Sequence, residues 1–329
     1  MEIKQITTND VREIITDRPA DMHKGQAGRI LFIAGSKGMA GAAVLAARGA
    51  LYSGAGLVKV SIPDELFHIL QCSVTEAMCI DREEIMTRSL GRFDAVAIGP
   101  GLGKGKEQYQ MVEHLLLSYS GPVIIDADGI NSLCAFGKVP AQLTISDVEQ
   151  GITRRMFSIL PDMISRRKRP VILTPHPGEA DRLLKSLGQQ RVSELGREAA
   201  TVTLARLTGA IIALKGAGTL VSAPAAKDTE STDADAPDVE TWINTTGNPG
   251  MATGGSGDVL TGVIAALTAY SRAGRKNMVE LTTADAVRAA VYIHGLAGDI
   301  AAREIGEIGM TAMDIADALP AAFRRIAGR

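Results

Sequence analysis

Short apolar runs rich in β-branched residues recur along this chain, separated by segments long enough for a helix. The runs are RILFIAG at 29–35, GLVKVSIP at 56–63, FDAVAIGPG at 93–101, GPVIIDAD at 121–128, PVILTPH at 170–176, GAIIALKG at 209–216 and TLVSAP at 219–224. Strands that read as continuous apolar runs are buried on both faces, and helix-length connections between them call for parallel pairing. From about residue 256 the pattern turns wholly helical, over 256–270, 282–303 and 311–327. The expectation is an α/β fold: a doubly wound, mainly parallel sheet with helices on both faces and a helical C-terminal third. No linker divides it, so residues 1–329 read as a single domain.

Two stretches interrupt this rhythm and read as loop insertions. Residues 137–169 begin as a loop and close on the basic run SRRKRP, which reads as a solvated helix end. Residues 225–240, AAKDTESTDADAPDVE, hold six acids against one lysine and read as a surface loop, because such a composition has no face to bury. With a net charge of −2 and 4% aromatic residues, nothing in the bulk chain suggests a nucleic-acid surface or base-stacking platforms. Three cysteines, 72, 79 and 134, fit neither a disulfide framework nor a zinc site. The N-terminus carries no apolar signal-peptide core, and no apolar stretch reaches transmembrane length. A cytoplasmic enzyme that touches no membrane is expected.

In open α/β sheets ligands sit beyond the carboxyl ends of the strands. Here those ends are glycine-rich or polar in succession: GSKGMAGA (35–42), GPGLG (99–103), DADGIN (126–131), TPHPGEAD (174–181) and KGAGT (215–219). One such turn is usually just a tight turn. Five at one edge describe a backbone-lined cleft. The strongest element is NTTGNPGMATGGSGDVLTG, in which Gly254, Gly255, Ser256 and Gly257 run directly into a helix that carries Asp258 in its first turn. Glycines let backbone N–H groups approach an anion, and the helix start adds unpaired donors and a positive dipole end. Asp258 has two readings, a helix cap or a general base beside a phosphoryl group. GPGLGKG lacks the spacing and the Ser/Thr of a Walker A loop, and no strand ends in GxGxxG.

GNPGMATGGSGDVLTG closely resembles the signature of the ADP-dependent NAD(P)H-hydrate dehydratases, a branch of the ribokinase-like superfamily. HKGQAGRILFIAGSKGMAGAAVLAARGALYSGAGLVKVSIP, IGPGLG, VIIDADGIN, ILTPHPGEADRL and LKGAGTLV are similar to further blocks of that family, in the same order, over roughly residues 20 to 303. The resemblance implies that ADP, or ATP, phosphorylates the C6 hydroxyl of hydrated NADH or NADPH, with Mg²⁺ expected alongside the polyphosphate. Phosphate then leaves to restore the dihydropyridine. It implies that Lys215, Gly216, Ala217, Gly218 and Thr219 bind the nucleotide together with Gly255, Gly257 and Asn248. Asp258 would be the base in contact with substrate, and Ala42, Gly101, Gly103 and His176 would hold the hydrated nicotinamide. Asn131 would lie near the phosphate path. His176, between two prolines at a strand end, has a structural reading as well. The family also suggests a homotetramer. An epimerase domain often precedes this domain in bacteria. Only about 20 residues precede the first block here, so the expected functional partner is an NAD(P)H-hydrate epimerase on a separate chain. A small-molecule kinase of the same fold, hydroxyethylthiazole- or sugar-kinase-like, shares GxGD, but such kinases hold TPHPGE, KGAGT and GNPGMATGG only in looser form. A nucleotide sensor without turnover is a third reading, disfavoured by Asp258 and the full glycine cluster.

Overall fold

The structure, a computed structural model, describes residues 2–15, 18–140, 156–225, 239–273 and 281–328. Ten strands form one sheet: β1 (Ile3–Gln5), β2 (Arg29–Ile33), β3 (Leu57–Ile62), β4 (Met78–Asp81), β5 (Ala95–Ile98), β6 (Val123–Ile125), β9 (Val171–Leu173), β10 (Ile211–Leu214), β11 (Leu220–Pro224) and β12 (Val239–Ile243). Their spatial order is β1-β12-β11-β10-β9-β6-β5-β2-β3-β4. Only β11 runs against the rest, paired antiparallel to β10 and β12. Strands β7 (Lys138–Pro140) and β8 (Met156–Ser158) make a separate antiparallel ribbon.

Alternation along β2 shows how the sheet is buried on both sides. Ile30 and Phe32 enter one apolar cluster, while Leu31 and Ile33 enter the other. The first cluster takes helices α1 (Thr8–Ile14), α2 (Ala40–Tyr52) and α3 (Phe67–Ser73). The second takes α4 (Lys106–Ser118), α5 (Ala127–Phe136), α6 (Leu160–Ser165), α7 (Pro177–Ser186), α8 (Val192–Leu195) and α9 (Arg197–Thr208). The chain then returns to the first face with α10 (Ser256–Ala273), α11 (Thr283–Ile305) and α12 (Ala312–Ile326). Fully burying one side chain such as Phe32 is worth roughly 1.5–3 kcal/mol. Helix α10 approaches α2 backbone to backbone at two glycines. A methyl group on Gly49 would sit 2.5 Å from the Val259 carbonyl oxygen, and one on Gly262 would meet the Ala46 carbonyl and, at 2.7 Å, the Ala50 nitrogen. Glycine is required there by space, and the close approach fixes where α10 begins.

Chain direction reverses between β2 and β5: the chain moves outward from β2 through β3 to β4, then crosses back to β5 on the other side of β2. Loops leaving β2 and β5 therefore diverge to opposite faces and open a crevice at their carboxyl ends.

Three expectations need correction. The segment opening at residue 137 does not begin as a loop, because 138–140 pair with 156–158 and α6 follows; residues 141–155 lie outside the described ones. The acidic stretch ends earlier than expected: Val239 and Glu240 belong to β12 and pair with Pro224 and Ala223, and 226–238 lie outside the described residues. The basic run is not all solvated. Arg167 turns inward, donating to the Leu116 carbonyl at 2.6 Å and the Gly121 carbonyl at 2.5 Å, while Arg166, Lys168 and Arg169 stay exposed.

Candidate active site

The hub of the cleft is a residue that the sequence did not single out. Asp126 directly follows β6, is 1% exposed, and divides its carboxylate between two elements. One oxygen accepts from the Lys215 ammonium at 2.6 Å, and the other from the Thr261 hydroxyl of α10 at 2.8 Å. A buried carboxylate is tolerable only when paired in this way. Lys215 also lies 3.9 Å from Glu179. Burial alone would pull the Lys215 ammonium down, but Asp126, Glu179 and Asp258 outweigh it and hold it above its ordinary value. A methyl group on Gly257 would lie 3.2 Å from the Lys215 nitrogen. The ammonium therefore stands against the backbone at the head of α10.

That head is open for an anion. Within the turn, Ser256 N–H bonds weakly back to the Thr253 carbonyl at 3.4 Å, and Val259 N–H makes the first helical bond, to Gly255. The N–H groups of Gly254, Gly255, Gly257 and Asp258 have no partner among the described residues. Four free donors lie at this helix start, and the Lys215 ammonium stands against it. Such an arrangement can accept phosphate oxygens.

Asp258 lies beside it. Burial first, then the negative charges of Asp126, Asp128 and Glu179, raise its carboxyl from an ordinary 3.8 to about 7, with Lys215 opposing. A carboxyl poised near neutral pH is suited to taking a proton from a hydroxyl. Burial also pushes Glu179 upward, with Asp126 adding to it and Lys215 and His176 opposing. His294 on α11 is buried behind the turn, and desolvation lowers it to about 4, so it is neutral.

The crevice between β2 and β5 brings together two of the residues expected on the nicotinamide side. A methyl group on Gly101 (φ +55°) would sit 2.8 Å from the Ala42 Cβ, and Gly35 N–H donates to the Pro100 carbonyl at 2.8 Å, so the two loops are joined. Gly103 N–H donates to Asp128 at 2.9 Å, and Asn131 binds Asp128 at 3.4 Å and Arg182 at 2.8 Å. Ala127, between the two aspartates, holds φ +46°, an uncommon strained conformation for a residue with a side chain.

His176 is occupied by its own helix. Its Nδ1 accepts from Gly178 N–H at 3.0 Å, its backbone N–H donates to Glu179 at 2.9 Å, and its Nε2 lies 3.2 Å from the other Glu179 oxygen. The imidazole caps α7 with half of its side chain still exposed. Asn248 is likewise engaged: its carbonyl accepts from Gly250 N–H and its amide donates to Asp299, each at 3.0 Å. KGAGT closes the β10–β11 hairpin, with Gly216 and Gly218 at positive φ and the Thr219 hydroxyl bonded to the Gly216 carbonyl at 3.1 Å.

The profile of the NAD(P)H-hydrate dehydratase family matches residues 30–142 and 155–321, nearly the whole of this cleft and its scaffold. The chain belongs to that family. Among relatives of the NAD(P)H-hydrate dehydratases, a protein of Moorella thermoacetica named bifunctional NAD(P)H-hydrate repair enzyme Nnr is 35% identical over 96% of this chain and 53% of its own length. The ADP-dependent (S)-NAD(P)H-hydrate dehydratase of Neisseria meningitidis is 31% identical over 92% of this chain and 86% of its own. The crystal structure of the ADP/ATP-dependent NAD(P)H-hydrate dehydratase of Bacillus subtilis, co-crystallised with ATP and Mg²⁺, superposes with a TM-score of 0.76 at 30% identity over 99% of both chains. The chain spans about half the length of the bifunctional relatives it matches.

Asp126, Glu179 and Thr261 were missed for one reason. Each is an ordinary polar residue in sequence, and only the sheet order brings them to one point. A signal did exist for Asp126, an acid closing an otherwise apolar run, VIID.

Proposed function

We propose that this chain dehydrates the (6S) hydrates of NADH and NADPH, with ADP or ATP as phosphoryl donor, and that residues 1–329 act as one domain. The single-domain reading is supported by a sheet that both β1 and β12 join. The observation that carries the chemistry is the pairing of a near-neutral carboxyl, Asp258, with the free N–H groups and the Lys215 ammonium at the head of α10. The β-phosphoryl group of ADP lies against those donors, which stabilise its oxygens as charge builds. The C6 hydroxyl of the hydrate attacks phosphorus while Asp258 takes its proton, and AMP departs. The ring nitrogen lone pair then expels phosphate from C6, and loss of the C5 proton restores the C5–C6 double bond. Hydroxide leaves poorly and phosphate well, so the nucleotide is consumed to improve the leaving group.

Among the described residues no three acidic, His or Cys side chains are grouped to hold a metal. Bound with the polyphosphate beside the head of α10, Mg²⁺ would neutralise phosphate charge. Ala42, Gly101 and Gly103 line the nicotinamide side, and KGAGT, Gly255 and Gly257 the nucleotide side. His176 offers its exposed ring edge to the substrate, and Asn248 acts on the nucleotide by holding the NPG turn. A homotetramer, and an epimerase acting on the opposite hydrate, complete the reading, supported by the family resemblance.

The test is an assay of hydrated NADH with ADP and ATP side by side. AMP, phosphate and the near-ultraviolet absorbance of the dihydropyridine should rise together with ADP. A stable phosphorylated product without recovered absorbance would make the chain a kinase instead.

A further inference from the structure

A turn that offers N–H groups to an anion faces a problem on its other side. In a trans peptide the N–H and C=O point in opposite directions, so every amide aimed at a ligand leaves a carbonyl aimed away from it. Those carbonyls need a donor. In KGAGT the donor is a side chain outside the motif. Arg197, the first residue of α9, reaches beneath the turn and donates to the Ala217 carbonyl, to the Gly218 carbonyl at 3.1 Å and, at the limit of hydrogen bonding, to Leu214 at 3.4 Å. The guanidinium also packs on Gly216, where an added methyl group would lie 3.1 Å from it. The N–H groups of Gly218 and Thr219, in the same peptide units as the two gripped carbonyls, have no partner among the described residues and point away from α9.

We infer that Arg197 is a positioning residue for the nucleotide: its planar fork holds the Ala217 and Gly218 carbonyls, and so keeps the N–H groups of Gly218 and Thr219 turned to the phosphate oxygens. Arginine suits this role because its five donors lie in a fixed plane and its charge never leaves. Donation to the carbonyls also polarises the two peptide units, which strengthens their N–H groups as donors. The inference rests on the placement of the nucleotide at KGAGT proposed above. Arg197 acts through the turn and does not itself touch the nucleotide.

Three variants decide it: Arg197→Met, Arg197→Lys and Gly218→Val, each titrated calorimetrically with ADP and assayed with hydrated NADH. Arg197→Met should weaken ADP binding about tenfold and raise the KM for ADP to match, while the KM for hydrated NADH stays within about twofold. Arg197→Lys keeps the charge but loses the planar fork that spans the two carbonyls, so about a threefold loss is expected. If Gly218→Val loses ADP while Arg197→Met binds it as the parent does, Arg197 does not position the turn and the inference fails alone. If both variants bind ADP like the parent, the nucleotide is not at this turn and the underlying placement fails. Arg197→Lys equal to the parent would mean that charge, not the fork, matters, which also overturns the inference. Should Arg197→Met not fold, Arg197→Lys carries the decision by itself.

Discussion

The head of α10 and the KGAGT hairpin both offer free N–H groups, but they are held by different means. At α10 the glycines that matter for position, Gly49 and Gly262, lie in the contact with α2 and are required by lack of room. The N–H groups there are aimed by a helix wedged between α2, α11 and the sheet. The hairpin has no such wedge. Gly216 and Gly218 are required by positive φ, and the turn is fastened from behind by one arginine. A helix start is rigid because its surroundings are, whereas a turn is rigid only if something grips its carbonyls. Function should therefore be separable from stability at α10 and inseparable from it at the hairpin.

The largest effect expected concerns Asp258. Asparagine caps a helix about as well as aspartate but takes no proton. Asp258→Asn should lower turnover by at least about 10²-fold with ADP affinity within a few-fold. In the parent, kcat/KM should fall as pH drops below about 7, because the base is then protonated. The stability sign is opposite. A carboxyl raised in the fold is charged there at a cost, so its contribution is most favourable below its unfolded value and is lost as pH rises toward about 7. Asp258→Asn should melt at or a few degrees above the parent at pH 8, and level with it near pH 4. An unstable variant that is fully active per folded molecule would make Asp258 a cap.

A paired substitution tests the contrast directly. Gly257 is helical, not at positive φ, and a methyl group there meets only the movable end of Lys215. Gly257→Ala should displace the ammonium and weaken ADP about tenfold, yet keep or raise Tm, since alanine favours a helix over glycine by about 1 kcal/mol. Gly218 sits at φ +62° with Ile243 3.2 Å from an added methyl group. Gly218→Ala should lower Tm by a few degrees as well as weaken ADP, because a side chain in the left-handed region costs roughly 1–2 kcal/mol. If both variants lose stability alike, the two devices are not different in kind.

How much of this was legible beforehand follows the same division. Strands with long apolar runs, the α/β alternation, the C-terminal helices and every glycine-rich turn could be read, since their signal is local. β1, β4 and β12 could not: each is three to five residues, and KQ, CID and ETW carry polar residues that resemble loop. Arg197 was invisible for a deeper reason. It lies 20 residues before Ala217, and only the α9–β10–β11 packing makes it part of the turn. The capping role of His176, by contrast, was present in HPGE, where Glu179 stands three residues on, the spacing of a capping box.

The smallest effect is expected from the acidic connection between β11 and β12. Residues 226–238 carry five acids and one lysine, and their flanks are already paired, Pro224 with Val239. Replacing 225–238 by Asn-Gly would close the same antiparallel pair with a two-residue hairpin turn. The KGAGT turn sits at the other end of β11, its register set by Leu214 facing Leu220 and its carbonyls held by Arg197. Neither depends on how β11 reaches β12. The shortened protein should keep Tm within a few degrees and turnover within about twofold, because a shorter loop costs less entropy to close. A tenfold loss of ADP affinity would show that the hairpin is held through β11 as a whole. The turn would then be fastened like α10, by its surroundings, and the contrast between the two devices would fall.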